Sequence, residues 1–472
     1  MLETAPLYHQ LADQIHELIR AGTLRAGERV PSVRRLSHQQ RVSVSTVLQA
    51  YQRLEDIGVI EARPQSGYYV RRPAATMREP EPSKPPRRAL VVEVNALTDA
   101  VLAHAADPNV VAFGSACAAP ELFQLERVRR VLSSVARRDR GALGRYGLPP
   151  GTERLRRAVA RRALDWGCRI DHRDLVTTTG CMEAINLCLR AVTKPGDLVA
   201  LESPTYYGFL QILQTLGLRA LEIPTHPRTG ISLEALELAL AEHPVKAVLV
   251  MPNVSNPIGA TMSDVAKKRL VELLAAKNVP LIEDHIYAEL QFESPAPRPA
   301  KAFDRAGNVM LCSSFSKTLS PGLKVGWIEP GKWGDQVRML KWVASGGQNE
   351  LVELTVAELI ESGGYERSLR QLRRRFEAQI DVARGVIADS FPRGTRVTRP
   401  SGAYIVWVEL PKGCDSVALF EKLLERGITI APGPMFSASQ RYRNCMRLSI
   451  GQAWSDRHER ALREIGRLAQ QS

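Results

Sequence analysis

The chain has no uninterrupted apolar run of the eighteen or so residues that a membrane helix needs. Its first ten residues, MLETAPLYHQ, lack a basic segment followed by an apolar one. The expectation is a protein without a membrane partner, placed in the cytoplasm. Cysteine is sparse: Cys117, Cys168, Cys181, Cys188, Cys312, Cys414 and Cys445 are scattered, odd in number, and show neither a CxxC pair nor metal-ligand spacing. They read as reduced thiols, and neither a disulfide framework nor a metal site is expected. No internal repeat is visible, which argues against a solenoid or a propeller.

What is present is ordinary globular material in more than one piece. Hydrophobic residues make up 44% and charged residues 24% of 472 residues, and that length exceeds what a single core organises. The net charge of +14 suits a polyanionic partner. Residues 1–72, however, hold ten arginines against seven acids, so most of the excess lies elsewhere and charge does not locate a nucleic-acid site.

A break in composition falls at Arg71–Pro86, RRPAATMREPEPSKPP, where five prolines and mixed charges interrupt all periodicity. The expected organisation is a compact domain over 1–72, a proline-rich linker over 73–94, and a continuous globular stretch over 95–472. In the first segment Leu7, Leu11, Ile15, Leu18 and Ile19 recur at helical spacing, and Ala21-Gly22 supplies a stop. Pro31 and Ser32 open a second short helix. Ser43 is the N-cap of a third, whose apolar stripe is read as Val44, Val47, Leu48, Tyr51, Leu54 and Ile57, with Gly58 closing it. That leaves Ser45, Thr46, Gln49 and Arg53 outward. In VIEARPQSGYYV two β-prone runs flank Pro64 to Gly67, the pattern of a hairpin with a tight tip.

Three helices and a hairpin make a winged helix-turn-helix. The run PSVRRL, STVLQAY, LEDIG and QSGYYV resembles the DNA-binding domain of GntR-type bacterial regulators. The resemblance implies a double-stranded DNA partner, with the start of the third helix in the major groove and the wing tip near the minor groove. It carries over to Arg34, Ser43, Ser45, Thr46, Gln65, Ser66 and Gly67. Arg34 and Arg35 are read as gripping phosphate rather than bases. Some members of the family carry arginines where this chain has Val44 and Leu48.

Beyond the break, apolar runs alternate with amphipathic stretches: LVTTTG then CMEAINLCLRAV, LVALES, KAVLVMPN, PLIEDH and VMLCSSFSK. This is an α/β pattern, in which ligands gather at the carboxyl ends of strands. Gly180, Asn256, Asp284 and Lys317 all fall at such ends. The segment SFSKTLSPGLKVG, residues 314–326, resembles the lysine box of fold-type I pyridoxal 5'-phosphate enzymes, where a lysine amine joins the cofactor aldehyde as an imine. The resemblance assigns Lys317 to that link and Ser314 and Lys324 to the phosphate. A lone lysine in a polar loop is usually a solvated charge, so the support has to come from elsewhere in the chain. Asp284 in LIEDHIY ends an apolar strand, where an unpaired carboxylate is costly and a pyridinium nitrogen would be its partner. Tyr287, with Asn256 from NPIG, is placed on the cofactor phenolate oxygen.

Gly180, Cys181 and Met182 stand where a strand turns into a helix, a position whose N–H groups favour a phosphate. Tyr206 of ESPTYYG matches the ring that stacks on the pyridine. Tyr146 resembles the tyrosine that reaches the phosphate of a neighbouring subunit, which implies a homodimer with shared sites. Arg447 of CMRLSIG resembles the arginine that clamps a substrate carboxylate; taken alone it would read as a surface ion pair. These motifs run in the order of aminotransferase subgroup I.

Joined to the GntR-type head, the chain resembles the MocR subfamily. That implies a winged helix-turn-helix followed by an α/β fold-type I domain with a mostly parallel sheet and a smaller α+β subdomain. One departure stands out: Lys324 occupies a position where active aminotransferases usually carry arginine. Three functions are compatible with these residues. The first is a regulator sensing an amino acid, an amine or a B6 vitamer; the second is a working aminotransferase with an appended head; the third is a scaffold with a vestigial pocket.

Overall fold

The computed structural model describes residues 6–471 apart from 26, 57–58, 64–65, 71–76, 93–94, 106 and 294. It falls into two compact units, residues 1–75 and 76–472. The first unit runs α1 (Leu7–Arg20), α2 (Val33–Gln40), α3 (Val44–Asp56), β1 (Ile60–Arg63) and β2 (Gly67–Val70). β1 and β2 pair antiparallel, Ile60 opposite Val70 and Arg63 opposite Gly67. α2 begins where Ser32 Oγ accepts the Arg35 N–H at 3.3 Å, and α3 where Ser43 Oγ accepts the Thr46 N–H at 3.1 Å. Both are N-caps that satisfy an otherwise orphaned helix donor. Between them Arg41 closes α2 in the left-handed region at φ 49°.

The core of this unit is Leu11, Ala12 and Ile15 from α1, Leu36 from α2, Val47, Ala50, Tyr51 and Leu54 from α3, and Ile60 and Val70 from the hairpin. Tyr51 is wholly buried and donates its hydroxyl to Pro31 O at 2.6 Å, pinning α3 to the start of α2. The stripe read from the sequence is corrected at four places. Leu7 and Leu18 of α1 and Val44 and Leu48 of α3 are exposed, while Ala12 and Ala50 are buried. A domain this small covers only a narrow sector of each helix, and alanines facing a close neighbour fill it. Ile57, Gly58, Pro64 and Gln65 lie outside the described residues.

In the second unit the strands are β3 (Leu90–Val91), β4 (Val111–Ala112), β5 (Val176–Thr178), β6 (Leu198–Ser203), β7 (Arg219–His226), β8 (Gly230–Ile231) and β9 (Val245–Val250). They continue as β10 (Leu281–Asp284), β11 (Val309–Ser314), β12 (Gly326–Glu329), β13 (Arg396–Val397), β14 (Ile405–Glu409), β15 (Ile428–Thr429), β16 (Ala431–Pro432) and β17 (Cys445–Ser449). The large sheet has the order β3-β7-β6-β9-β10-β11-β12-β5, with β8 paired to β7. Its centre, β7-β6-β9-β10-β11, is parallel, and β12 runs against both neighbours. Strands buried on both faces explain the continuous apolar runs: every residue of β6, β10 and β11 is buried. A smaller antiparallel sheet, β13-β14-β17-β16, has its own core around Trp407, Phe436 and Ile465.

Part of the proline-rich stretch is bonded to this second unit. Arg78 O accepts the Val397 N–H at 3.0 Å, and Glu79 accepts the Arg399 N–H at 3.0 Å. Ser83 exchanges bonds with Thr225, and β3 forms the sheet edge beside β7. No helix among the described residues is long and apolar enough to cross a membrane.

Candidate functional site

The carboxyl ends of the parallel strands converge on a group of polar residues. β10 ends in Asp284, which is 4% exposed. Its Oδ1 accepts the Ile286 N–H at 2.9 Å and the Cys181 thiol at 3.3 Å. Burial pushes the Asp284 carboxyl up to about 6, against the pull of those two bonds and of Lys317. Lys317 follows β11, and its Nζ donates to Ala116 O at 2.7 Å. Burial first, then the positive charges of Arg447 and Lys324, hold this amine below the ordinary lysine range, while Cys117 and Asp284 act the other way.

Arg447 sits on β17, opposite Trp407 of β14 and Ala431 of β16. It is fully buried rather than part of a surface ion pair. Its guanidinium reaches Gly114 O and, at 3.4 Å, Asn256 Oδ1, and it lies 5.2 Å from the Phe436 ring and 5.8 Å from the Tyr207 ring. Its Nε has no hydrogen-bond partner among the described residues. The site thus holds a half-buried amine, Lys317, a buried carboxyl, Asp284, and a fully buried guanidinium, Arg447, to which an anionic ligand would give a charged partner.

The other residues read from the sequence take the following places. Asn256 is buried and meets Arg447. Tyr287 is buried, its ring edge-on to Tyr404 at 5.8 Å, and burial raises its phenol. Tyr206 precedes the helix Tyr207–Thr215 and packs against Tyr207 and Phe209. Gly180 turns into the helix Cys181–Val192 at φ 93°, with nothing near where a Cβ would stand. Cys181 is buried beside Asp284, and Met182 is 39% exposed. Ser314 Oγ accepts the Ser316 N–H at 3.0 Å. Lys324 is exposed in the left-handed region at φ 51°. Tyr146 stands apart: it is 76% exposed and packs near Trp342.

Three participants had not been read from the sequence. Tyr404 donates to Ala116 O at 3.0 Å, the same carbonyl that Lys317 reaches. Gln348 ties Thr179 Oγ1 (3.0 Å) to the Lys324 carbonyl (3.2 Å). The Cys181 side chain holds Asp284, whereas only its backbone had been considered. The segment PSGAYIVW, residues 400–407, carries Tyr404 just before an apolar strand, which is a signal for it; nothing local marks Gln348.

In the first unit Arg34 and Arg35 are exposed on α2. Ser43 Oγ lies 2.7 Å from Ser45 Oγ and 2.8 Å from Thr46 Oγ1, so these hydroxyls bond one another. Ser66 Oγ lies 2.7 Å from Tyr69 Oη, and Gly67 sits at φ 99°, with the Arg29 guanidinium against it. Gln65 is outside the described residues.

Residues 116–464 match the family model of class I and II aminotransferases, and residues 7–70 match that of the bacterial regulatory proteins of the gntR family. The chain belongs to the class I and II aminotransferases, with a GntR-type head. This is the composition of the MocR subfamily of regulators, and the mostly parallel sheet is the fold-type I sheet. The uncharacterized HTH-type transcriptional regulator YdcR of Escherichia coli (strain K12) is 39% identical over 464 residues, 98% of this chain and 99% of that protein. YjiR of the same strain is 38% identical over 460 residues, 97% and 98% of the two chains. Among solved structures, the α-aminoadipate aminotransferase LysN of Thermus thermophilus, complexed with N-(5'-phosphopyridoxyl)-L-leucine, superposes with a TM-score of 0.73. It is 28% identical, and the match covers 80% of this chain and 95% of that one. The aminotransferase class I and II fold is pyridoxal phosphate-dependent.

Proposed function

We propose that this chain is a cytoplasmic DNA-binding transcription regulator. Its aminotransferase-like unit binds pyridoxal 5'-phosphate and, through it, an amino acid, an amine or a B6 vitamer. The observation that carries the reading is the set of half-buried Lys317, buried Asp284 and buried Arg447, in a chain headed by a winged helix.

The donor set suits the cofactor group by group. Lys317, its pKa lowered by burial, offers an amine to the aldehyde. Asp284 would hold the ring nitrogen, and a cation there would return its carboxylate to the charged form. Asn256 and Tyr287 would serve the phenolic oxygen, and Tyr206 the ring face. The N–H groups of Gly180, Cys181 and Met182, at a helix start, would hold the phosphate with Ser314 and Lys324. Exposed Tyr146 is available to the phosphate of a second copy, so the working form is a homodimer. When bound, pyridoxal phosphate supplies an electrophilic carbon for amines and a ring that withdraws electrons. Arg447 holds the carboxylate of the incoming amino compound, which supplies the missing partner of its buried charge. In the head, Arg34 and Arg35 contact phosphates, Ser43, Ser45 and Thr46 meet the major groove, and Gln65, Ser66 and Gly67 serve the minor groove.

A ligand can move the DNA equilibrium only by its differential affinity for two states, typically about 5- to 150-fold. The same intact set also suits a working aminotransferase, so the test must read chemistry and DNA together. Holoprotein is titrated with amino acids, amines and B6 vitamers while its visible spectrum, DNA affinity and 2-oxo acid formation are followed. Spectral change with altered DNA affinity and no sustained 2-oxo acid supports the regulator. Sustained 2-oxo acid production with unaltered DNA affinity overturns it.

A further inference from the structure

α3 carries apolar residues on two faces, and only one of them is core. Val47, Ala50, Tyr51 and Leu54 are wholly buried, whereas Val44 and Leu48, one turn apart, are 47% and 43% exposed. They stand at the helix start, the part of a recognition helix that meets base edges. The hydroxyls beside them are engaged with one another: Ser43 Oγ takes the Thr46 N–H and lies within 2.8 Å of both Ser45 Oγ and Thr46 Oγ1. The outward chemistry of these first turns is therefore branched apolar surface, with hydroxyls that already have partners and the exposed Gln49 amide beside it.

In the major groove, adenine, guanine and cytosine present hydrogen-bonding groups, and thymine alone adds an apolar one, its C5 methyl. Arginines on the preceding helix and turn, Arg34, Arg35 and Arg41, are exposed and supply positive charge for the flanking phosphates. We propose that Val44 and Leu48 are specificity-determining residues that read thymine methyl groups, so that each operator half-site places thymine opposite the start of α3. This rests on the reading of the head as a DNA-binding domain. It adds which bases that domain selects and which side chains select them.

The test uses the full-length holoprotein to recover sites from a random duplex library. The best site is then resynthesised with uracil at each thymine in turn, which removes a methyl group and leaves base pairing and hydrogen-bonding edges intact. Losing one buried methyl contact weakens binding by about three- to fourfold. The expected result is at least one thymine per half-site whose replacement has that effect on the wild type and little effect on Val44→Ala or Leu48→Ala. Both side chains are exposed, so the variants should keep their circular dichroism and their affinity for random duplex. Uracil replacement that is neutral throughout in the wild type overturns the inference, as does an equal loss in wild type and variants. A change of oligomeric state in Leu48→Ala without any uracil effect also overturns it and assigns the patch to a protein interface. A library that enriches no site defeats the regulator reading itself, and this inference with it.

Discussion

Replacing Asp284 by asparagine should stabilise the protein when no cofactor is bound and weaken it when cofactor is present. The carboxyl is 4% exposed and is raised from 3.8 to about 6, chiefly by burial. A shift of roughly 2 units corresponds to about 3 kcal/mol against the charged form. Because the folded state holds this proton more tightly than the unfolded chain, stability falls as pH rises from about 4 to about 6, and the penalty is complete above that window. The asparagine side chain would carry no charge and would keep an oxygen for the Ile286 N–H and the Cys181 thiol. Cofactor-free Asp284→Asn should therefore gain up to about 3 kcal/mol at pH 8 and about half of that at pH 5. For a unit of this size the gain raises the melting temperature by roughly 1–2 °C per kcal/mol. Saturating pyridoxal phosphate should reverse the order, because only the wild type pairs a carboxylate with the ring cation. The assay is thermal melting at the two pH values, with and without pyridoxal phosphate. A cofactor-free variant that melts at or below the wild type at pH 8, or a difference independent of pH, would refute the assignment of a buried, strained carboxylate.

Other substitutions probe the remaining parts. Arg447→Met should weaken binding of amino acids by about 10- to 150-fold, the worth of lost charge-assisted bonds, while amines lacking a carboxylate lose little; calorimetry on the holoprotein separates the two. Lys324→Arg should tighten pyridoxal phosphate several-fold, roughly the gain of a planar two-point grip over a point charge; equilibrium dialysis reads it. Ser43→Ala removes the oxygen that caps α3 and should cost about 0.5–2 kcal/mol in the head. The second unit should melt unchanged, because the two form separate compact units.

The architecture was legible where local chemistry decides it. Ser32 and Ser43 cap their helices because a side-chain oxygen beside free N–H groups is a local property. Asp284 ends β10 and Lys317 follows closely after β11 because an apolar run that gives way to polar residues marks a strand end. What the sequence could not show depends on partners far along the chain. Apolar spacing placed Val44 and Leu48 in the core stripe, but the width of the buried sector is set by α1 and the hairpin, and Ala50 occupies the place instead. Proline content marked residues 73–94 as extended, yet bonds to Thr225 and Arg399 tie Ser83 and Glu79 to the second unit. Arg447 appears as an ordinary charge until the fold brings Gly114 and Asn256 to it across 333 and 191 residues. The same distance problem hid Cys181 beside Asp284, 103 residues away.

The most direct test of the central claim is the change in DNA affinity when an amino compound is added to holoprotein, measured side by side in wild type and Lys317→Ala. If the aminotransferase-like unit reports its ligand through Lys317, wild-type affinity shifts by about 5- to 150-fold and the variant does not respond. An equal shift in both, or no shift in either while 2-oxo acid accumulates with the wild type, contradicts the account.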